Sequence, residues 1–357
     1  MYKDFFKLEK LPFNLTPDPG YLYLSAKHSE ALAGLSYAIR RRKGFVVLTG
    51  DAGTGKTTLL STVINQLPAG QVQSCIILNP ILSPAEFLEY VLLDFGVAIT
   101  SGSKAQRLWK LQEFLLQAYR ENRIAILVID EAHKLAPDVL EEIRLLGNFE
   151  YGDDKFLQII LLGQCELDDL LNRQDLRQFK QRVALRIYVD PLPAVEIGDY
   201  IRFRWEKAGG TATPFTPEAI WEISLLSRGI PRVINSLCDT ALSAAFAEAS
   251  HIVTELHVTE AGANLGLTKA QLSSAAEQIP ISEPAANPGI LPQPQEISPP
   301  TSTLKQVYKV PSFAGYARDQ AGPAANDNAL VDDVPTFAGY GKRRKNISLL
   351  KLLASKF

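Results

Sequence analysis

The sequence predicts an α/β fold: a buried parallel sheet between layers of helices, followed by a smaller helical unit. Three observations carry that prediction. Short apolar runs at Phe45 to Leu48, Ile124 to Ile129 and Leu157 to Leu162 are separated by stretches with helical spacing. These runs lack polar alternation, as strands covered on both faces do. The first opens into a loop of small residues and the second ends in two adjacent acids, the chemistry found at the carboxyl ends of such strands.

In chain order, residues 1–43 form an N-terminal segment. The turn-rich stretch PFNLTPDPGYLYLS precedes a helix expected from about Lys27 to Arg42, with Ala31, Leu35, Ala38 and Ile39 on one face. The cluster Arg40-Arg41-Arg42-Lys43 falls in its last turn, where cations suit the helix dipole. A contact with phosphate or with a partner is the other reading. Residues 44–192 form the core unit. Its first strand runs into Gly50-Asp51-Ala52-Gly53-Thr54-Gly55-Lys56-Thr57, which fits G-x-x-x-x-G-K-[ST] between a strand and a helix. Glycines there let backbone N–H groups turn inward around an anion, and the helix from Lys56 through Thr58 onward aims its positive end at it. The pattern is that of a nucleotide-binding loop. Lys56 can reach the β- and γ-phosphates, and the Thr57 hydroxyl can ligate Mg2+.

A second strand is expected at Cys75 to Leu78, then helices at about 84–93 and 105–122. The apolar run ending at Ile129 delivers Asp130, placed to hold the water shell of Mg2+, and Glu131, placed to polarise the attacking water. The run from Leu157 ends at Gly163-Gln164, so Gln164 is a candidate γ-phosphate sensor or a cap for the next helix. LRQFKQRVALRIYVDPL (176–192) gives a basic helix and another strand. Residues 193–266 read as a lid of three or four helices. Residues 267–341, rich in Pro, Ala, Ser, Gln and Asn, are expected to be disordered. Within them Val310-Pro-Ser-Phe-Ala-Gly-Tyr316 recurs as Val334-Pro-Thr-Phe-Ala-Gly-Tyr340. Residues 342–357 form a basic, amphipathic end, with Ile347, Leu350, Leu353 and Phe357 on one side.

Composition narrows the function classes. No run of about 18 apolar residues suggests a membrane span, and MYKDFFKLEK lacks the apolar stretch of a signal peptide, so the expected location is the cytoplasm. Cys75, Cys165 and Cys238 have no metal-ligand spacing and are expected as buried free thiols. The net charge is −2, but the last sixteen residues hold six bases and no acid, leaving 31 bases against 39 acids elsewhere. An acidic body gives no global footprint for nucleic acid.

Six motifs, taken together and in order, resemble those of AAA+ ATPases of the ExeA/GspA secretion type. They are PFNLTPDPGYLYLSAKHSEAL (12–32), GFVVLTGDAGTGKTTLL (44–60), ILVIDEAHKL (126–135), LQIILLGQCEL (157–167), LRQFKQRVALRIYVDPL and GIPRVINSLCDTAL (229–242). The ATPase module also resembles that of TniB/TnsC-type transposition regulators. The resemblance implies a P-loop NTPase three-layer α/β/α sandwich of the AAA+/ASCE type that binds ATP and Mg2+ and forms a homo-oligomer. It implies that Arg232 is a lid arginine facing the γ-phosphate and that Arg182 is an arginine finger for a neighbouring subunit, with Arg177 and Arg186 as rivals. It places His28 near the adenine. Cys165 stands where the family usually has a proline.

Two functions follow from the resemblance. One is an ATPase that drives assembly or remodelling of a secretion-associated protein partner. The other is an ATP-dependent DNA-binding regulator of the transposition type. The letters Asp130-Glu131-Ala132-His133 also spell a helicase motif, but only about 135 folded residues follow His133, too few for a second motor domain. The tail is a candidate docking element for a protein partner or, peripherally, for a membrane surface.

Overall fold

A computed structural model describes residues 2–16, 18–68, 70–98 and 102–267. The linker and terminal segment expected beyond residue 267, with both repeats, lie outside the described residues.

The chain begins with α1 (Tyr2–Phe5), a 3-10 turn at Pro19–Tyr21 and α2 (Ala26–Arg40). The core unit follows as β1 (Phe45–Thr49), α3 (Lys56–Asn65), β2 (Val72–Ile77), α4 (Pro84–Asp94), α5 (Lys104–Arg120) and β3 (Ile124–Ile129). Then come a 3-10 turn (Ala132–Lys134), α6 (Pro137–Leu146), the short pair β4 (Glu150–Tyr151) and β5 (Asp154–Lys155), and β6 (Leu157–Leu162). The unit closes with α7 (Glu166–Asn172), α8 (Arg177–Lys180) and β7 (Val183–Tyr188). Four further helices are α9 (Ala194–Lys207), α10 (Pro217–Ser227), α11 (Pro231–Ala247) and α12 (Glu255–Asn264).

Five strands make one parallel sheet in the order β2-β3-β6-β1-β7. Every residue of β1, β3 and β6 is buried, yet neighbours along each strand face opposite ways. Val47, Leu127, Ile129, Ile159 and Leu161 join a cluster with Phe87, Leu115 and Leu140 from α4, α5 and α6. Val46, Leu48, Ile126, Val128 and Ile160 join another with Leu35 and Leu59 from α2 and α3. Two apolar faces covered by helices explain the unbroken apolar runs. Helix starts are set locally: Ser83 and Ser103 form capping boxes with Glu86 and Gln106, and Pro84, Pro217 and Pro231 open α4, α10 and α11.

The N-terminal segment divides between two cores. Tyr2, Leu8 and Phe13 pack with Ile201, Trp205, Ile234 and Leu242 of the last four helices, whereas α2 packs on the sheet. Arg204 fastens this arrangement. Buried on α9, it donates to the carbonyls of Pro12 (2.7 Å) and Asn14 (3.3 Å) and to the Tyr200 hydroxyl (3.0 Å), and lies 4.9 Å from the centre of the Tyr21 ring.

Several expectations change in detail. The basic helix expected after Leu176 is only the single turn of α8, because Leu176 and Phe179 are both pinned in the sheet's core. The hairpin β4–β5 was not expected, since two-residue strands carry no periodicity. β2 starts at Val72 rather than Cys75; its first half is half-buried at the sheet edge and includes Gln73 and Ser74. Cys75 and Cys238 are buried as expected, but Cys165 is exposed, because it lies in the turn that joins β6 to α7. Arg42 is buried too: its Nη2 donates to the Arg123 carbonyl at 3.0 Å and its guanidinium covers the Tyr119 ring.

Candidate nucleotide site

The site lies where β1, β3 and β6 end together. β1 leads into Gly50–Gly55, and α3 starts directly at Lys56 with Gly55 in the left-handed region. Thr54 is fully buried under this loop, and its hydroxyl donates to the Asp51 carbonyl at 2.9 Å. Lys56 curls over the loop, its Nζ 2.8 Å from the carbonyls of both Gly50 and Asp51. Burial pulls its pKa down, while Asp130, Glu131 and Asp51 pull it back up. The ammonium is thus centred among the groups that would surround a phosphate chain.

β3 supplies the acids. Asp130 is pushed above the usual carboxylate range by burial, against hydrogen bonds from the Glu131 backbone and Thr57. Thr57 Oγ1 lies 3.4 Å from Asp130 Oδ2, so a hydroxyl and a carboxylate, both hard oxygen donors, face one point. No cluster of three or more His, Cys, Asp or Glu side chains that could cage a metal occurs among the described residues. A pair of oxygen donors suits Mg2+, which keeps waters and takes phosphate oxygens for its remaining positions. Glu131 turns the corner after the strand at φ 52°, in the left-handed region, and its backbone N–H donates to Asp130 Oδ1 at 2.9 Å. Its carboxylate faces His133 Nε2 at 3.5 Å and Lys134 Nζ at 3.1 Å.

Gln164 stands one residue beyond Gly163, which directly follows β6. Its N–H points at His133 Nδ1, 3.5 Å away, and Cys165 precedes α7 without capping it through its side chain. The Cys165 thiol lies 3.8 Å from Asp51 Oδ1 and 3.9 Å from the Tyr188 hydroxyl, which burial, its hydrogen bond with Cys165 and nearby Asp51 push up to about 12.

The helical unit reaches the same loop through the start of α11. Arg232 N–H donates to the Gly53 carbonyl at 3.2 Å, and a Cβ on Gly53 would lie 2.6 Å from Arg232 Cβ. With φ at +86°, Gly53 is glycine for two reasons: the turn and the close approach of α11. Gly229 lets the chain into α11. A Cβ there would fall 1.9 Å from the Leu192 carbonyl oxygen, and Leu192 N–H donates to the Gly229 carbonyl at 2.8 Å.

The remaining expected residues fall less simply. His28 sits against the loop itself rather than on an open surface for a base: its ring is buried between Ser25 Oγ, at 2.7 Å, and the Thr54 backbone. Arg182 Nη1 donates to Asn148 Oδ1 and to the Arg144 carbonyl, and Arg186 pairs with Asp168 at 3.1 Å. Arg177, exposed on α8, has no side-chain partner among the described residues. The contacts of His133, and the seat of His28 on Thr54, had no local signal in the sequence, because both join segments far apart in the chain.

Residues 39–171 match the family model described as AAA domain, and that match spans the phosphate loop, both acids and the end of β6. This stretch is similar to an AAA domain. The chain is 41% identical over 252 residues to the general secretion pathway protein A of Aeromonas hydrophila, covering 70% of the chain and 46% of that relative. An uncharacterized HTH-type transcriptional regulator of Methanocaldococcus jannaschii is 28% identical over 183 residues, half of this chain and 44% of the regulator. The chain therefore spans less than half the length of these curated relatives. Among solved structures, the fold is similar to the ORC1 protein of Aeropyrum pernix in complex with DNA (TM-score 0.56, 19% identity, 77% of this chain and 74% of that one). It is also similar to Cdc6p of Pyrobaculum aerophilum (TM-score 0.54, 17% identity, 73% and 70%). At such identities the likeness is one of fold.

Proposed function

We propose that this AAA+ protein binds ATP with Mg2+ and hydrolyses it, and that a homo-oligomer couples the cycle to assembly or remodelling of a protein partner. One observation carries the reading: Lys56, the Thr57–Asp130 pair, Glu131 and the α11 terminus bearing Arg232 all converge on one loop. In this reading the loop N–H groups and Lys56 grip the phosphates, and Glu131 orients the attacking water. Mg2+ held by Thr57 and Asp130 would neutralise charge on the phosphate oxygens. Gln164 and Arg232 would sense the γ-phosphate from the strand side and from the helical side.

The secretion-type partner is supported by the 41% identity to general secretion pathway protein A. The DNA-binding alternative gains no comparable support, since its structural neighbours share the fold alone. The tail beyond residue 267, with its repeated aromatic motif and basic end, is the segment best suited to recruit the partner. No described helix is long and apolar enough to cross a membrane.

The test separates grip from chemistry. Glu131→Gln should keep ATP bound while hydrolysis falls to background, because the phosphate grip lies elsewhere. Lys56→Ala should lose ATP binding itself. Normal turnover by Glu131→Gln protein would remove Glu131 from its role and the reading with it.

A further inference from the structure

The letters Ala132-His133 follow the two acids of β3, and the ATPase reading leaves His133 without a task. The fold gives it one. β3 and β6 are adjacent parallel strands, with Ile129 opposite Leu161, so the residues just beyond their ends stand side by side. His133 lies in the 3-10 turn after β3, its side chain only 13% exposed. Its Nδ1 is 3.5 Å from the Gln164 backbone nitrogen, beyond β6, and its Nε2 is 3.5 Å from Glu131 Oε2.

The direction of the first contact fixes the second. A backbone N–H can only donate, so Nδ1 accepts and, in the neutral ring, the proton sits on Nε2. Nε2 therefore presents a donor to the Glu131 carboxylate. The order is Gln164 N–H to ring to carboxylate, a link from the end of one strand to the acid on the next. Both contacts are long for hydrogen bonds, so the ring sets direction more than it adds binding energy. Lys134 Nζ is nearer the same oxygen, at 3.1 Å, but it is 49% exposed on a flexible stem. Exposed pairs of this kind contribute little and hold no fixed angle.

We infer that His133 is a positioning residue: it aims the Glu131 carboxylate according to where the end of β6 stands. A displacement of Gln164 moves the N–H that holds Nδ1, the ring turns about its own stem, and Nε2 carries the carboxylate with it. The γ-phosphate sensor and the water-orienting acid thereby act as one unit. This inference rests on the reading of Glu131 as the acid that orients water.

The experiment measures steady-state ATP hydrolysis, binding of a fluorescent ATP analogue and thermal melting on the full chain. His133→Ala should lower kcat roughly 10- to 100-fold, the scale of a misaimed catalytic group, with analogue affinity and melting temperature close to wild type. The two amide variants discriminate further. His133→Gln places an amide nitrogen near the Nε2 position and should recover part of kcat. His133→Asn, whose amide reaches only the Nδ1 position, should not. Unchanged kcat in His133→Ala would overturn the inference. So would an equal fall in all three variants accompanied by lost affinity or lowered melting, which marks a packing role. Failure of the underlying reading is visible separately, as normal turnover in Glu131→Gln.

Discussion

His28 is a basic ring in a place that disfavours charge. Burial lowers its pKa below 6.5, and the Thr54 backbone with Glu196 and Asp190 only partly oppose it. Above about pH 6.5 the ring is neutral in folded and unfolded chains alike, and its packing contributes in full. Below that, the unfolded chain takes up a proton first, so stability falls as pH drops through the folded value. Thermal melts between about pH 8 and pH 5 should show this acid limb, and His28→Gln should flatten it. A variant limb parallel to that of the wild type would show that other groups cause it. The contrast with Lys56, Thr57 and Asp130 shows what sequence can reveal about a site. Those residues meet at a loop and a strand end whose geometry is local, so spacing alone predicts that they come together. His28 and His133 act through neighbours brought up by the fold, and no spacing announces Thr54 or Gln164 as their partners.

Among the elements, the join between α10 and α11 is the most constrained. Arg228 and Gly229 both take positive φ, and the Leu192 carbonyl fills the space where a side chain on Gly229 would stand. Gly229→Ala should destabilise the protein by about 1–3 kcal/mol, read as a lower melting temperature. Unchanged melting would mean that the join relaxes freely. Arg204 controls a different contact. With alanine there, the carbonyls of Pro12 and Asn14 lose their donor, and residues 10–25 should be cut faster in limited proteolysis while the sheet stays protected. Equal cleavage in both proteins would show that the aromatic packing suffices. At this scale the long helices and buried strands were legible, because burial on one face or two writes itself into spacing. The β4–β5 hairpin and the single turn of α8 were not, being too short for any period to repeat.

For the whole molecule, the arginines set the question of assembly. Arg182 and Arg186 are engaged within their own chain, whereas Arg177, exposed on α8, has no side-chain partner among the described residues. An arginine supplied by a neighbour can contribute roughly 10³–10⁵ in rate, so specific activity should climb with protein concentration. Mixing Lys56→Ala protein with Arg182→Ala or with Arg177→Ala protein should regain turnover for whichever arginine is donated, since a mixed interface pairs an intact pocket with an intact donor. Concentration-independent activity from a stable monomer would exclude any such donation. The family resemblance puts Arg182 first and Arg177 and Arg186 behind it, but it could not register that the fold engages Arg182 and Arg186 within the chain. The chain's route has a mechanical consequence as well. It passes between the sheet and the helical unit twice, once ahead of α2 and once between Val189 and Leu192. Lys27, at the start of α2, and Asp190, in the second passage, pair at 2.7 Å on the surface. The two passages are covalent ties between the same two cores. The bond from Arg232 N–H to the Gly53 carbonyl is a third tie, so the phosphate loop and the helical unit are joined directly as well as through the chain.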